Sequence, residues 1–198
     1  MKVNNTIKEF DLGCNNITPE GARILSECLG NITTLTHLFL YMNKIGNEGC
    51  QHLSNFLKQN KTIKFIGLDS NGIGDVGLKM MTDALKVNKF LKILHMSQNE
   101  ITPRGIKVFV NNMRDNYTLS EINFRANQIG DGGVKLLAGY LMNNPPILSL
   151  DLSANQITDE GALELAKVVK KNMSLVTLKL AFNKIMNEGK KKKKIHPF

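Results

Sequence analysis

The stretch Leu150-Asp151-Leu152-Ser153-Ala154-Asn155-Gln156-Ile157, followed by Thr158-Asp159-Glu160-Gly161, decides the fold, because the rest of the chain copies it. Its asparagine returns as Asn15, Asn43, Asn71, Asn99, Asn127 and Asn183, always in steps of 28 residues. The isoleucine two places later keeps the register as Ile17, Ile45, Ile73, Ile101, Ile129 and Ile185. So does the glycine, as Gly21, Gly49, Gly77, Gly105, Gly133 and Gly189. Three residue types held in phase through seven copies mark a solenoid, in which each repeat is one supersecondary unit.

Each repeat carries two apolar patterns. The first is L-x-x-L-x-L-x-x-N-x-I, for example Leu35, Leu38, Leu40, Asn43 and Ile45. Its period-two alternation predicts a short strand with one face buried. The second starts at the glycine, as in Gly133, Val134, Leu137 and Leu141. Spacings of three and four make one helical stripe. Its equivalents include Ala22, Leu25 and Leu29, then Cys50, Leu53 and Leu57, and in the sixth repeat Ala162, Leu165 and Val169. Positions 18, 46, 74, 102, 130 and 158 are Thr or Gly and suit helix N-caps. Pro19 and Pro103 then fall at the first helical position, where a missing N–H costs nothing.

Strand, turn, helix and return loop in that order place equivalent strands parallel and side by side. Parallel strands stack ~4.8 Å apart, whereas helices with their side chains need about 10 Å. The two layers must therefore curve, with strands on the concave side and helices on the convex side. The crossovers are expected to be right-handed. The Asn column fits this arrangement, because its side chain can bond the backbone of neighbouring turns that have no ladder of their own.

These residues resemble the leucine-rich repeat, and the helix-containing 28-residue version resembles the ribonuclease-inhibitor-like subfamily. The resemblance covers Ile7 to Gly189 and implies an α/β horseshoe solenoid. Residues 7–189 would form that domain, seven repeats with the last incomplete. Residues 1–6 look like the end of a preceding repeat, since Asn4 continues the column of Asn60, Asn88, Asn116, Asn144 and Asn172. In the seventh repeat the helix core positions would be Lys190, Lys193 and Pro197, which cannot pack a helix. Residues 190–198 read as a basic, disordered tail. Members of the subfamily include ribonuclease inhibitors, Ran GTPase-activating proteins, sensor regions of nucleotide-binding immune receptors and tropomodulin-like actin regulators. The resemblance thus implies binding of another protein.

Composition agrees with a folded chain of one elongated unit. No apolar run approaches the roughly 18 to 20 residues of a membrane span, and the first residues carry no apolar signal region. Lys190 to Lys194 supply five of the +9 net charge, leaving +4 on the rest, too little for a nucleic-acid surface. Cys50 shares a core column, while Cys14 and Cys28 stand alone, a usage that fits a reducing compartment. The expected location is the cytoplasm, with the lysine run as a weak nuclear-import signal. Six Asn-x-Ser/Thr sequons, at Asn4, Asn16, Asn31, Asn60, Asn116 and Asn172, are read as turn residues rather than glycan sites.

Catalytic chemistry is not expected. His37 and His95 lie two repeats apart, there is no phosphate loop, and no Ser or Cys comes with a positioned His and acid. No cofactor, small-molecule substrate or nucleic acid is expected. The outward strand positions carry the variability. One column reads Glu9, His37, Phe65, Ile93, Glu121, Ser149, Thr177, and the next Asp11, Phe39, Gly67, His95, Asn123, Asp151, Lys179. A third reads Gly13, Tyr41, Asp69, Ser97, Arg125, Ser153, Ala181. Strand alternation points them away from the core. Repeats two to four are therefore expected to expose His37, Phe39, Tyr41, Phe65, Ile93 and His95 together as a protein-binding patch. The expected function is a non-enzymatic protein-interaction scaffold. Two alternatives are a GTPase activator of the Ran type, with a small GTPase as partner, and a fragment of an immune-type sensor.

Overall fold

The computed structural model describes residues 4–186, and within them each repeat becomes one three-residue strand followed, through the sixth, by one helix. The strands are β1 (Glu9–Asp11), β2 (His37–Phe39), β3 (Phe65–Gly67), β4 (Ile93–His95), β5 (Glu121–Asn123), β6 (Ser149–Asp151) and β7 (Thr177–Lys179). The helices are α1 (Pro19–Leu29), α2 (Gly46–Gln59), α3 (Asp75–Leu85), α4 (Pro103–Asn112), α5 (Gly130–Leu141) and α6 (Asp159–Lys171). All seven strands form one open parallel sheet in sequence order. The pairing register equals the repeat, so Glu9 lies beside His37, His37 beside Phe65 and Phe65 beside Ile93. Gly189, the Lys190–Lys194 run and the first three residues of the expected remnant lie outside the described residues.

The core runs between sheet and helices. Leu38, Ile66 and Leu94 in mid-strand, Leu40, Leu68, Met96 and Leu152 after it, and Ile45, Ile73, Ile101 and Ile157 at the turn are fully buried. Burying such a side chain is worth ~1.5–3 kcal/mol, and each repeat supplies several. The helical stripe behaves as its spacing predicts through five repeats, but Val169 is 65 % exposed and Val168 packs inward instead. Val169 faces past α6, where among the described residues no further helix follows to cover it.

The Asn column does what the turn backbone requires. Asn99 Nδ2 donates to the Leu68 and Ser97 carbonyls at 2.9 and 3.1 Å. Its Oδ1 accepts from the N–H groups of Ile73 at 2.9 Å and Asn71 at 3.1 Å. One side chain thereby ties the turns of the third and fourth repeats together. The residue before each of these asparagines is left-handed: Cys14, Met42, Ser70, Gln98, Ala126, Ala154 and Phe182 have φ between 52 and 58°. None is glycine, so no composition signal marks the column. In the first six the bend aims the N–H at the next repeat, as in Met42 N to Asp69 O at 2.8 Å and Ser70 N to Ser97 O at 2.8 Å. That bond helps offset the ~1–2 kcal/mol steric cost of the conformation.

Helix starts follow two designs. Thr18, Thr102 and Thr158 are N-caps whose hydroxyls accept from Gly21, Arg104 and Glu160. Gly74 is an N-cap too, without a side chain to bond. Gly46 and Gly130, expected as N-caps, are instead the first residues of α2 and α5, at φ +59 and +54°. The reason lies one repeat back. Asn47 Oδ1 accepts from Gly74 N and Gly77 N at 2.9 and 2.8 Å. Asp75 accepts from Thr102 N and Oγ1 at 2.8 and 2.6 Å, and Asp131 does the same for Thr158 at 2.9 and 2.6 Å. Each of these repeats thus caps the helix after it. Pro19 and Pro103 occupy that capping column ahead of α2 and α5 and carry no acceptor side chain. Those two helices begin on a left-handed glycine instead.

Candidate functional site

The outward strand positions gather as expected but not as separate exposed rings. Phe65 sits at the centre. Phe39 lies beside it with ring centres 4.6 Å apart, His37 stacks at 5.8 Å, and His95 meets it edge-on at 5.0 Å. His37 and Phe39 are stacked at 6.4 Å. Gly67 lets this happen: a Cβ there would stand 3.2 Å from the Phe65 ring, so the ring lies over bare backbone. As a result Phe65 is only 9 % exposed. That departs from the expectation of an exposed Phe65, because its neighbours enclose it on the open side of the sheet. His37, Phe39, Ile93 and His95 are half-buried, and their remaining surface is what a partner can reach. Aromatic pairs of this kind add ~0.5–1.5 kcal/mol beyond burial, which keeps the surface ordered before anything binds.

Tyr41 is placed differently. Its ring covers Gly13 of the first repeat, where a Cβ would overlap it, and its hydroxyl donates to Asp11 Oδ2 at 3.3 Å. The Asp11 carboxylate raises the Tyr41 phenol above its ordinary value. Tyr41 therefore flanks the cluster on the first-repeat side and is not stacked within it.

Polar groups close the other side. His95 Nε2 lies 3.2 Å from Glu121 Oε1, and Thr36 Oγ1 is 2.9 Å from His37 Nδ1. Asp69 accepts from Ser97 N at 2.7 Å and from the Ser97 hydroxyl. Glu121 and Asp69 were visible in the strand columns, but their partners one repeat away depend on rotamers that the period does not specify. Further along, the Arg125 guanidinium sits 5.2 Å from the Phe182 ring, which is 79 % exposed. Phe182 belongs to the left-handed column, not a strand column, so the alternation that found the other aromatics passes over it.

Among the described residues no group of His, Cys, Asp or Glu is placed to hold a metal ion, and no helix is long and apolar enough to cross a membrane. Asn116 of the fifth sequon is buried, donates to Leu85 O at 2.8 Å and accepts from Leu119 N at 2.9 Å, as a turn residue should.

The Leucine Rich repeat family matches the chain seven times, at residues 3–26, 31–54, 59–81, 87–110, 115–138, 143–166 and 171–191. No curated protein matches its sequence. Among solved structures, the chain is similar to leiomodin-1 actin-binding site 2, with a TM-score of 0.58 and 20 % identity over 78 % of this chain and 88 % of that one. It is also similar to the tropomodulin C-terminal domain of Caenorhabditis elegans, with a TM-score of 0.55 and 13 % identity over 86 % of each chain. At these identities the likeness is one of fold.

Proposed function

We propose that this chain, which belongs to the leucine-rich repeat family, is a non-enzymatic scaffold that holds a protein partner on the concave face of repeats two to four. The observation that carries the reading is the interlocked group of His37, Phe39, Phe65 and His95 on a rigid sheet. Such a surface is ordered before contact, so little entropy is lost on binding. Phe39 and Tyr41 are the anchors, Ile93 and His95 complete the apolar floor, and Phe65 holds the others in place. The 28-residue period with a helix in each full repeat supports the ribonuclease-inhibitor-like subfamily. The same reading takes residues 7–189 as one domain between a repeat remnant and a basic tail, in a cytoplasmic protein that the lysine run can direct to the nucleus.

Affinity purification of partners followed by a double substitution tests it. Phe39→Ala with Tyr41→Ala should weaken the partner at least about tenfold and leave the protein folded, with a melting temperature lower by only a few degrees. Unaltered affinity, or loss of the fold, removes the patch as the binding site. A second reading takes actin as the partner, motivated by the likeness to leiomodin-1 actin-binding site 2. Cosedimentation with filamentous actin decides it, with no pelleting counting against it. Stimulation of GTP hydrolysis by Ran at substoichiometric protein would instead favour the activator reading.

A further inference from the structure

The repeat departs from its pattern in the return loop after α5, which borders the space between α4 and α5. In the return loops after α3, α4 and α6 the loop asparagine is a fixed rung. Asn88 donates to Leu57 O at 2.7 Å, Asn116 to Leu85 O at 2.8 Å and Asn172 to Leu141 O at 2.6 Å. Each also accepts from the N–H groups two and three residues on, as Asn88 does from Phe90 and Leu91. Asn144 cannot, because the residue two places on is Pro146, which has no N–H. Asn144 turns toward the following repeat instead, exposed and left-handed at φ 50°, and its Oδ1 accepts from Met173 N at 2.8 Å. The Met113 carbonyl that would be its acceptor is met by the Tyr140 hydroxyl at 3.5 Å.

This loop closes one end of an open groove of about 820 Å³. Val110, Leu136, Tyr140, Pro145 and Pro146 line it, and Tyr117 stands at its edge, 73 % exposed. Gly139 opens its floor. A Cβ there would touch nothing within 4 Å, so no packing demands a glycine in this last turn of α5.

The charges are equally one-sided. Lys107, Arg114 and Lys135 line the groove and no carboxylate does. One repeat earlier Asp83 pairs with Lys79 at 2.6 Å and Lys86 at 2.9 Å. In the two repeats that form the groove the column of Asp83 becomes Asn111 and Gly139, while the lysine column of Lys79 continues as Lys107 and Lys135. Among the described residues none of the three cations has an ion pair.

From this we infer that the α4–α5 groove is a second docking site, for an acidic peptide segment with an aromatic or branched aliphatic anchor. Its anchor would lie over Gly139 against Leu136, Tyr140 and the two prolines, and its carboxylates would meet Lys107, Arg114 and Lys135. Val110, Leu136, Pro145 and Pro146 outnumber the rings of Tyr117 and Tyr140, which favours a peptide side chain over stacked nucleobases that draw on aromatic platforms. The recessed shape favours it over a membrane surface.

The test is selection of a random peptide library, displayed on phage, against the whole chain. One recovered peptide, labelled with fluorescein, is then titrated by fluorescence anisotropy. Recovered sequences should carry Asp or Glu around an aromatic or branched aliphatic residue. Gly139→Met fills the groove without strain, and Lys107→Glu with Lys135→Glu reverses its charge. Each should weaken the peptide at least about tenfold, while Phe39→Ala with Tyr41→Ala leaves it unchanged. The last control separates this site from the concave one. Peptides that are neutral or basic overturn the proposal, as does binding that survives both groove variants or is lost with the concave one. Tighter capture of a labelled oligothymidine in the same groove also overturns it. The charge reversal carries the result should Gly139→Met lower the melting temperature.

Discussion

Asp131→Ala tests the idea that one repeat caps the helix of the next. The Asp131 carboxylate accepts from Thr158 N at 2.9 Å, Thr158 Oγ1 at 2.6 Å and Gly161 N at 3.0 Å. A hydrogen bond to a charged group contributes ~1.5–3 kcal/mol net, and loss of an N-cap costs ~0.5–2 kcal/mol. Thr158 still caps Glu160 in the variant, and water can reach the half-buried site, so the lower part of these ranges applies. We expect a loss of about 2 kcal/mol, or a melting temperature lower by roughly 4–8 °C for a chain of this length. Hydrogen exchange should place the damage in α6, since a repeat protein loosens where an inter-repeat contact is lost. Acid supplies a second check. Burial tends to raise the Asp131 pKa, but its bonds from Thr158 and Gly161 outweigh this and hold it below the ordinary carboxylate value. A carboxyl depressed by folding stabilises above its unfolded pKa of about 3.9, and that contribution disappears as pH falls through the folded value. The gap between parent and variant should therefore be full at neutral pH and close in acid. A melting shift of less than about 1 °C, or a gap that persists in acid, refutes the capping argument.

Asn99→Ala should cost ~3 kcal/mol or more in urea unfolding, because it strands buried turn carbonyls and N–H groups on two repeats at once; a loss below ~1 kcal/mol would deny the ladder its role. Phe65→Ala should lower stability by ~3 kcal/mol, unlike Phe39→Ala, since Phe65 is enclosed and Phe39 half-open; equal effects on chemical denaturation would show that the enclosure does not matter. Cys14 and Cys28 are exposed and should react quickly with a thiol reagent in the folded protein. Cys50 is fully buried, its thiol pushed up to about 12 by burial, and should react only on unfolding; three fast thiols would contradict the packing.

The amino-acid sequence by itself determined the repeat, the sheet and its register. A fixed 28-residue period in Asn, Ile and Gly leaves few ways to bury the intervening Leu and Ile positions, so strand positions and helix starts were legible to within a residue. It also placed His37, Phe39, Phe65 and His95 on one face, since neighbouring repeats align side chains of equal phase. Only the tertiary structure decided what those side chains do to one another. The burial of Phe65 depends on bare backbone at Gly67 and on the rings of two adjacent repeats. Tyr41 leans to Gly13 and Asp11, outside the stack. The left-handed column from Cys14 to Phe182 has no residue-type signature, because inter-repeat hydrogen bonds rather than glycine sustain it. The α4–α5 groove arises where Gly139, Asn144 and Pro146 of the fifth repeat, ordinary one at a time, face Lys107 and Val110 of the fourth. Periodicity reports what the repeats share, through backbone geometry common to all of them. What distinguishes one repeat from the next lies in side-chain contacts between neighbours, which exist only once the repeats are stacked.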